Sequence, residues 1–415
     1  MLWIYTIGIV IYGLVLRLAS LFNAKAKLFV AGRKNIFQKI QQKINSNDNP
    51  IWFHFASLGE FEQGRPVLEK LKANDPSQKI VVTFFSPSGY EIRKNYALAD
   101  VFYLPLDTSS NAKKFINSIN PKFAVFTKYE FWYHYFNELH EKQIPLYLIS
   151  GIFRPNQVFF KWYGSFYRGI LKLVTHFFVQ NEESVSLLKS IGINHVSLSG
   201  DTRFDRVYEN ALQPKKLSEI ENFLGNSPTF IAGSTWPEDE KLLVSLIEKY
   251  PDWKFIIAPH EIGQSHIEEI ESLFPKAIKF SNLNIMISEI HDISPEAAYT
   301  LDSSHKILII DNIGLLSSLY QYAKVAYIGG GFGAGIHNTL EAAAFGLPVI
   351  FGPKYDKFQE AKDLITIGAA KSVTTSNELI RAFEFFKSNE MASADAKKYV
   401  EQKKGATEMI VKAIA

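Results

Sequence analysis

Short apolar runs alternate with longer amphipathic stretches along most of this 415-residue chain, and no other feature restricts its fold as much. One series covers Ile51–Ala56, Lys79–Phe85, Lys122–Thr127, Pro145–Ser150 and His176–Val179. A second covers Thr229–Ala232, Lys254–Ala258, Lys306–Ile310, Lys324–Ile328 and Pro348–Phe351. Near-continuous apolar strands separated by helices imply parallel sheets covered on both faces, since a sheet with one wet face would alternate polar and apolar residues. Helical stretches fill the gaps at Glu62–Ala73, Glu182–Ser190, Glu238–Tyr250 and Asn338–Phe345. The expected fold is therefore α/β, with two Rossmann-like doubly wound domains at residues 48–210 and 220–415. The pattern breaks between them at Leu212-Gln213-Pro214-Lys215-Lys216. Ligands of such sheets bind beyond the C-terminal ends of the strands, so the strand-to-helix loops are where chemistry is expected.

The first 47 residues are of another kind. Met1–Leu16 is uncharged and mostly apolar, and the run reaches Phe22 if Arg17 snorkels. A spanning helix needs roughly 20 apolar residues. Residues 1–22 are read as a membrane-anchor helix, either spanning or lying in the interface. Residues 23–47 are read as a basic juxtamembrane segment. Arg17, Lys25, Lys27, Arg33, Lys34, Lys39 and Lys43 stand in the first 47 residues, with no acid among them. A cleaved signal peptide would carry its basic residues before the apolar run. The positive-inside rule places the chain after residue 22 in the cytoplasm, with the basic arm on an anionic membrane surface. Net charge is +3 and is concentrated in this arm, so the remainder is mildly acidic and lacks the basic face of a nucleic-acid binder. There is no cysteine, which excludes a disulfide framework, a thiolate metal site and a cysteine nucleophile. No His/Asp/Glu spacing suggests a metal site, and no cofactor is expected.

Four loops carry candidate residues. Ser57-Leu58-Gly59-Glu60 follows the first run, and places Glu60 near a helix start, as a first-turn acid favoured by the helix dipole or as a general base. Lys128-Tyr129-Glu130-Phe131-Trp132 follows the third run in the same way, and Glu130 could support Glu60 or contact a ligand hydroxyl. Gly233-Ser234-Thr235 ends the sixth run, where small residues let backbone amides approach a phosphate. Five glycines lie in Gly329–Gly335, followed by His337-Asn338-Thr339-Leu340-Glu341. Gly330 and Gly331 supply mobile backbone for an anion. Asn338 and Glu341 read either as a capping box or as partners for a sugar hydroxyl. Pro259-His260-Glu261, Asp311-Asn312-Ile313-Gly314, Gly352-Pro353 and Gly200–Asp205 are weaker signals. His54 and His134 read as structural.

In this order the motifs resemble the 3-deoxy-D-manno-octulosonic acid (Kdo) transferases of Gram-negative bacteria. The resemblance rests on the N-terminal apolar segment, Ser57–Glu60, Glu130–Trp132, Gly200–Asp205, Ala232–Thr235, the glycine loop, His337–Glu341 and Phe358–Ala361. It implies a glycosyltransferase-B architecture, in which two Rossmann-like domains face a cleft. It also implies an inverting, metal-independent transfer of Kdo from CMP-Kdo to a lipid A precursor, at the inner membrane, in lipopolysaccharide synthesis. Carried over by motif, the base falls on Glu60 and the second acid on Glu130. The CMP-Kdo contacts fall on Ser234, Ile313, Gly314, Gly330, Gly331, Asn338 and Glu341. Three departures stand out. The family's arginine in Pro-Arg-His is missing, because His260 follows Pro259 directly; Leu315 replaces an acid after Gly314; and Gly331 stands where the family has serine. Phosphate charge is then expected to fall on backbone amides, His260 or Arg203. The alternatives are a glycosyltransferase-B enzyme using a UDP- or ADP-sugar, and a membrane-tethered sugar-nucleotide binding protein.

Overall fold

The computed structural model describes residues 1–283 and 305–415. It separates into two units, Met1–Asp205 with Lys404–Ala415, and Arg206–Lys403. Unit 1 is built on β1 (Ile51–Phe55), β2 (Ile80–Phe84), β3 (Asp100–Tyr103), β4 (Phe123–Thr127), β5 (Leu146–Gly151), β6 (His176–Val179) and β7 (Val196–Leu198). They pair in parallel in the order β3-β2-β1-β4-β5-β6-β7. Unit 2 contains β8 (Thr229–Thr235), β9 (Lys254–Pro259), β10 (Ile278–Lys279), β11 (Ile307–Ile309), β12 (Val325–Ile328), β13 (Val349–Phe351) and β14 (Ala370–Ser372). These are also parallel, in the order β10-β11-β9-β8-β12-β13-β14. The expected α/β fold of two doubly wound sheets is what the chain adopts.

Strand periodicity divides the core of unit 1 into two layers. Trp52, Val81, Ala124 and Phe126 face one side. Ile51, Phe53, Phe55, Val82, Phe84, Phe123 and Val125 face the other. Successive side chains of a strand point to opposite faces, so burying both faces requires the unbroken apolar runs seen in the sequence. Each such side chain contributes roughly 1.5–3 kcal/mol when buried. Four helices in the front part of the chain matter for the site: α1 (Leu2–Ala19), α2 (Ala24–Arg33), α3 (Ile36–Lys43) and α4 (Leu58–Asn74). Asn23 starts α2, its side chain accepting from the Ala26 amide at 3.0 Å. α1 is long and apolar enough to cross a membrane. The last helix, Ala406–Ile414, belongs to unit 1, although its place in sequence puts it with the rear domain. Its Ile410, Val411 and Ile414 join the layer that contains Phe53 and Phe55.

Candidate functional site

In each sheet one pair of neighbours marks where the winding reverses: β1 and β4 in unit 1, β8 and β12 in unit 2. At such a switch point the loops leaving the two strands diverge to opposite faces and leave a ligand crevice. The candidate motifs follow these four strands. Among the described residues, three non-glycine residues other than asparagine and Gln143 take positive φ, and all lie at strand ends: Lys128 after β4, Ser150 in β5 and Ser234 in β8. Each such residue costs on the order of 1–3 kcal/mol and persists only where its surroundings impose it.

In unit 1, Glu60 sits in the first turn of α4 and folds back, so that its Oε2 accepts from the Ala56 amide at 2.6 Å. Burial and then the charge of Glu130 push its carboxyl up to about 7, against the opposing pull of the Ala56 amide and Lys128. The structure thus places Glu60 as a first-turn acid whose carboxyl is raised by its surroundings. Glu130 is fixed on two sides: Trp132 Nε1 donates to its Oε2 at 3.0 Å, and His54 Nε2 lies 3.3 Å away. His54 is fully buried, with Nδ1 2.9 Å from Thr83 Oγ1, which accepts from Trp52 Nε1 at 2.8 Å. The Thr83 hydroxyl can also donate to the Phe53 carbonyl at 3.4 Å, and one arrangement of the series gives Glu130 a donor. In it the Thr83 hydroxyl donates to His54 Nδ1, and His54 Nε2–H donates to Glu130. In that arrangement His54 orients Glu130. His134, whose Nε2 contacts Thr6 Oγ1 at 3.0 Å, is structural. Phe131 and Trp132 pack against the core.

Unit 2 places Ser234 near the end of β8, His260 just after β9, Gly330, Gly331 and Asn338 on the loop after β12, and Glu341 in the first turn of the helix that follows, Leu340–Ala344. Ser234 lies where the β8–β9 register shifts. The glycine loop is pinned by Asp239, which is fully buried. Asp239 accepts from Gly330 N at 2.8 Å, Trp236 N at 3.0 Å and Tyr327 OH at 2.7 Å. The Gly330 amide, expected to face an anion, is engaged by a carboxylate instead. The amides of Gly333 and Gly335 bond the carbonyl of Gly330. Gly331 is buried, and a Cβ there would stand 2.6 Å from the Gly352 Cα. A serine there would force the Gly352 backbone to shift. Lys354 reaches the same loop, donating to the carbonyls of Phe332 and Gly333 at 3.0 Å each.

Beside the loop three rings stack. Trp236 Nε1 donates to His337 Nε2 at 3.2 Å. His260 lies parallel to both, with centroids 5.0 Å from Trp236 and 4.2 Å from His337. Burial first, and His260 second, push His337 down to about 4. His337 therefore stays neutral, accepting at Nε2 and presenting Nδ1–H. The capping box does not form: the Asn338 side chain accepts from Leu340 N at 3.1 Å and donates to Glu341 Oε1 at 3.2 Å. Burial raises Glu341, with Asn338 and Arg206 pulling the other way.

Ile313 and Gly314 lie on the loop after β11, with Ile313 exposed and Gly314 at φ 98°. Arg203 belongs to unit 1, where Asp201 holds its Nε at 2.8 Å. Among the described residues no group of three or more His, Asp or Glu has metal-binding geometry. Asp239, Trp236 and Lys354 were not singled out from sequence, and His337 stood there only as the first residue of a motif.

Residues 32–206 match the family model for 3-deoxy-D-manno-octulosonic-acid transferase (kdotransferase). Curated relatives named 3-deoxy-D-manno-octulosonic acid transferase align over most of the chain. That of Rickettsia felis is 28% identical over 340 residues, covering 80% of this chain and 70% of the relative. That of Aquifex aeolicus is 25% identical over 356 residues, covering 84% and 88%. Among solved structures, a UDP-GlcNAc 2-epimerase from Neisseria meningitidis superposes with a TM-score of 0.60 at 15% identity, covering 88% of this chain and 98% of that one. Acinetobacter baumannii MurG does so with 0.52 at 11%, covering 88% and 99%. These two likenesses show the fold, two α/β units of the glycosyltransferase-B class.

Proposed function

We propose that this chain, a glycosyltransferase of the Kdo transferase family, moves Kdo from CMP-Kdo to a membrane-held lipid A precursor, inverting the anomeric centre. The observation that carries the reading is Glu60, a half-buried carboxylate at the switch point of unit 1, held near neutrality by burial and by Glu130. A base is most effective when its pKa lies near the working pH. Glu60 accepts the proton of an acceptor hydroxyl as that oxygen attacks the Kdo anomeric carbon, and the bond to the CMP phosphate oxygen breaks. Glu130 keeps Glu60 basic and fixes the loop through Trp132 and His54.

Donor recognition falls to unit 2. Asn338 and Glu341 suit ribose hydroxyls, since their paired side chains offer both donor and acceptor atoms. Ser234 and His260 suit the phosphate, with His260 following Pro259 where the family has arginine. With four glycine-loop amides, those of Gly329, Gly330, Gly333 and Gly335, already engaged, side chains must take a larger share of the phosphate charge than backbone does. The basic residues before residue 47 suit an anionic inner-membrane surface on the cytoplasmic side. The test is turnover of CMP-Kdo with tetraacyl lipid A precursor, read by product mass. Glu60→Gln is expected to lose at least ~100-fold in rate, and a near-wild-type rate would remove Glu60 from the base role. Stabilisation by UDP or ADP in preference to CMP would move the donor assignment elsewhere.

A further inference from the structure

The first helix is attached to unit 1 along one side. The Tyr5 hydroxyl donates to Asp107 Oδ2 at 2.5 Å, and the Tyr133 amide donates to the Tyr5 oxygen at 3.3 Å. Thr6 Oγ1 lies 3.0 Å from His134 Nε2. Tyr12 stacks on Phe85 at 6.1 Å, and Gly13 is buried so tightly that a Cβ would stand 2.6 Å from Leu106. Asp107 is itself buried, and also accepts from the amides of His134 and Tyr135. From Tyr5 to Gly13 the seam runs about 12 Å at ~1.5 Å per residue, through the middle of α1.

The opposite face is bare. Trp3, Ile7, Ile11, Leu14, Val15 and Leu18 are all exposed, and Phe22 just beyond is 92% exposed. Arg17, Lys25, Lys27 and Lys34 are exposed around it. A helix that crosses a bilayer must be surrounded by hydrocarbon or protein for roughly 30 Å. While the seam holds, that depth would draw the Asp107–His134 cluster into the hydrocarbon.

We infer that α1 does not span. It lies along the surface of an anionic bilayer, with its outer face in the acyl region and its inner face on unit 1. A second copy of the chain is a poorer occupant, since pairing two such faces would bring their basic rims together without an acid in residues 1–47 to offset them. The placement has a consequence for the site. Tyr12 stacks on Phe85, Phe85 lies 4.7 Å from Trp132, and Trp132 holds Glu130. The lipid face and the acid pair are therefore three aromatic rings apart within one unit, and the helix is a wall of the acceptor side as well as a tether. For its lipid partner this inference rests on the proposed function, but its test reads no turnover.

The cysteine-free chain permits single-cysteine mapping in its native membrane. Trp3→Cys and Ser20→Cys flank the helix. A membrane-impermeant maleimide added to intact spheroplasts should label neither, and labelling of Trp3→Cys from that side overturns the inference. Purified wild-type chain should float with preformed vesicles containing phosphatidylglycerol, and bind neutral phosphatidylcholine vesicles at least ~10-fold more weakly. Leu14→Glu with Leu18→Glu should abolish flotation while the circular dichroism is unchanged. Equal binding to neutral vesicles, flotation that survives the two glutamates, or a stable dimer in place of lipid binding each sink it. Transfer activity could survive any of these failures, so the two readings fail separately.

Discussion

Glu60 is where burial, a neighbouring charge and the backbone meet in one side chain, and its titration can be followed two ways. As a base it must be ionised, so the rate should fall as pH drops below about 7, roughly tenfold per unit. Glu130 is a named cause of the upward shift. Glu130→Gln should therefore move the acid limb of the rate profile to lower pH, and an unmoved limb would separate the two carboxylates. Stability runs the opposite way. A carboxyl raised in the folded state contributes stability below its unfolded value of 4.5, and loses it as pH rises toward about 7. Glu60→Gln does not titrate, so its melting temperature should gain on wild type between pH 5 and pH 8. The gain is capped near ~3 kcal/mol at ~1.4 kcal/mol per unit. A constant difference across that range would show that the carboxylate carries no such strain. Activity and stability thus conflict at this one position. Neither the shift nor the His54–Glu130 contact was legible in the sequence, because both depend on residues up to 76 positions apart that only the parallel sheet brings together.

At the scale of elements, the glycine loop is held by close contact and by one carboxylate rather than by flexibility. Gly331→Ala would force a methyl against the Gly352 backbone and should destabilise by ~1–3 kcal/mol, seen as a lower melting temperature and weaker CMP binding together. Ser234→Gly should separate those readouts. It relieves the positive φ at 54°, worth on the order of 1 kcal/mol, while removing the hydroxyl proposed for the phosphate. Melting temperature should rise as donor affinity falls, and unchanged affinity would remove Ser234 from the donor site. The same scale explains which strands the sequence revealed. All ten apolar runs became strands within a residue or two at most ends, with β8 continuing to Thr235. The four strands without such a run, β3, β7, β10 and β14, are the four sheet edges. An edge is short and partly solvated, so it needs no continuous apolar run. β7 reads Val-Ser-Leu and β14 reads Ala-Lys-Ser. Asp239 stayed hidden for a related reason: its acid-rich helix start resembles any other, and its partner Gly330 lies 91 positions away.

At the scale of the whole chain, unit 1 is closed by residues 404–415. Asp205 accepts from Gly405 N at 2.5 Å and Thr407 N at 3.1 Å, which ties the end of the first pass to the start of the final helix. That helix covers α4 and the strand face bearing Phe53 and Phe55 through Ile410, Val411 and Ile414. Nothing local in the sequence announces this return, because an amphipathic terminal helix fits either sheet equally well and only tertiary contact decides. Its loss should therefore damage unit 1, not the unit that precedes it in sequence. Removing residues 404–415 would expose three aliphatic side chains' worth of core, a cost of roughly 1.5–3 kcal/mol for each, and would leave Asp205 buried without its two amide partners. Hydrogen exchange should then quicken in α4, β1 and β2 while β8, β12 and β13 keep their protection. Because α4 begins with the turn that carries Glu60, transfer activity should fall even though the deleted residues include none proposed to touch a substrate. Faster exchange confined to unit 2, with α4 unchanged, would mean that the terminal helix does not close unit 1 in solution.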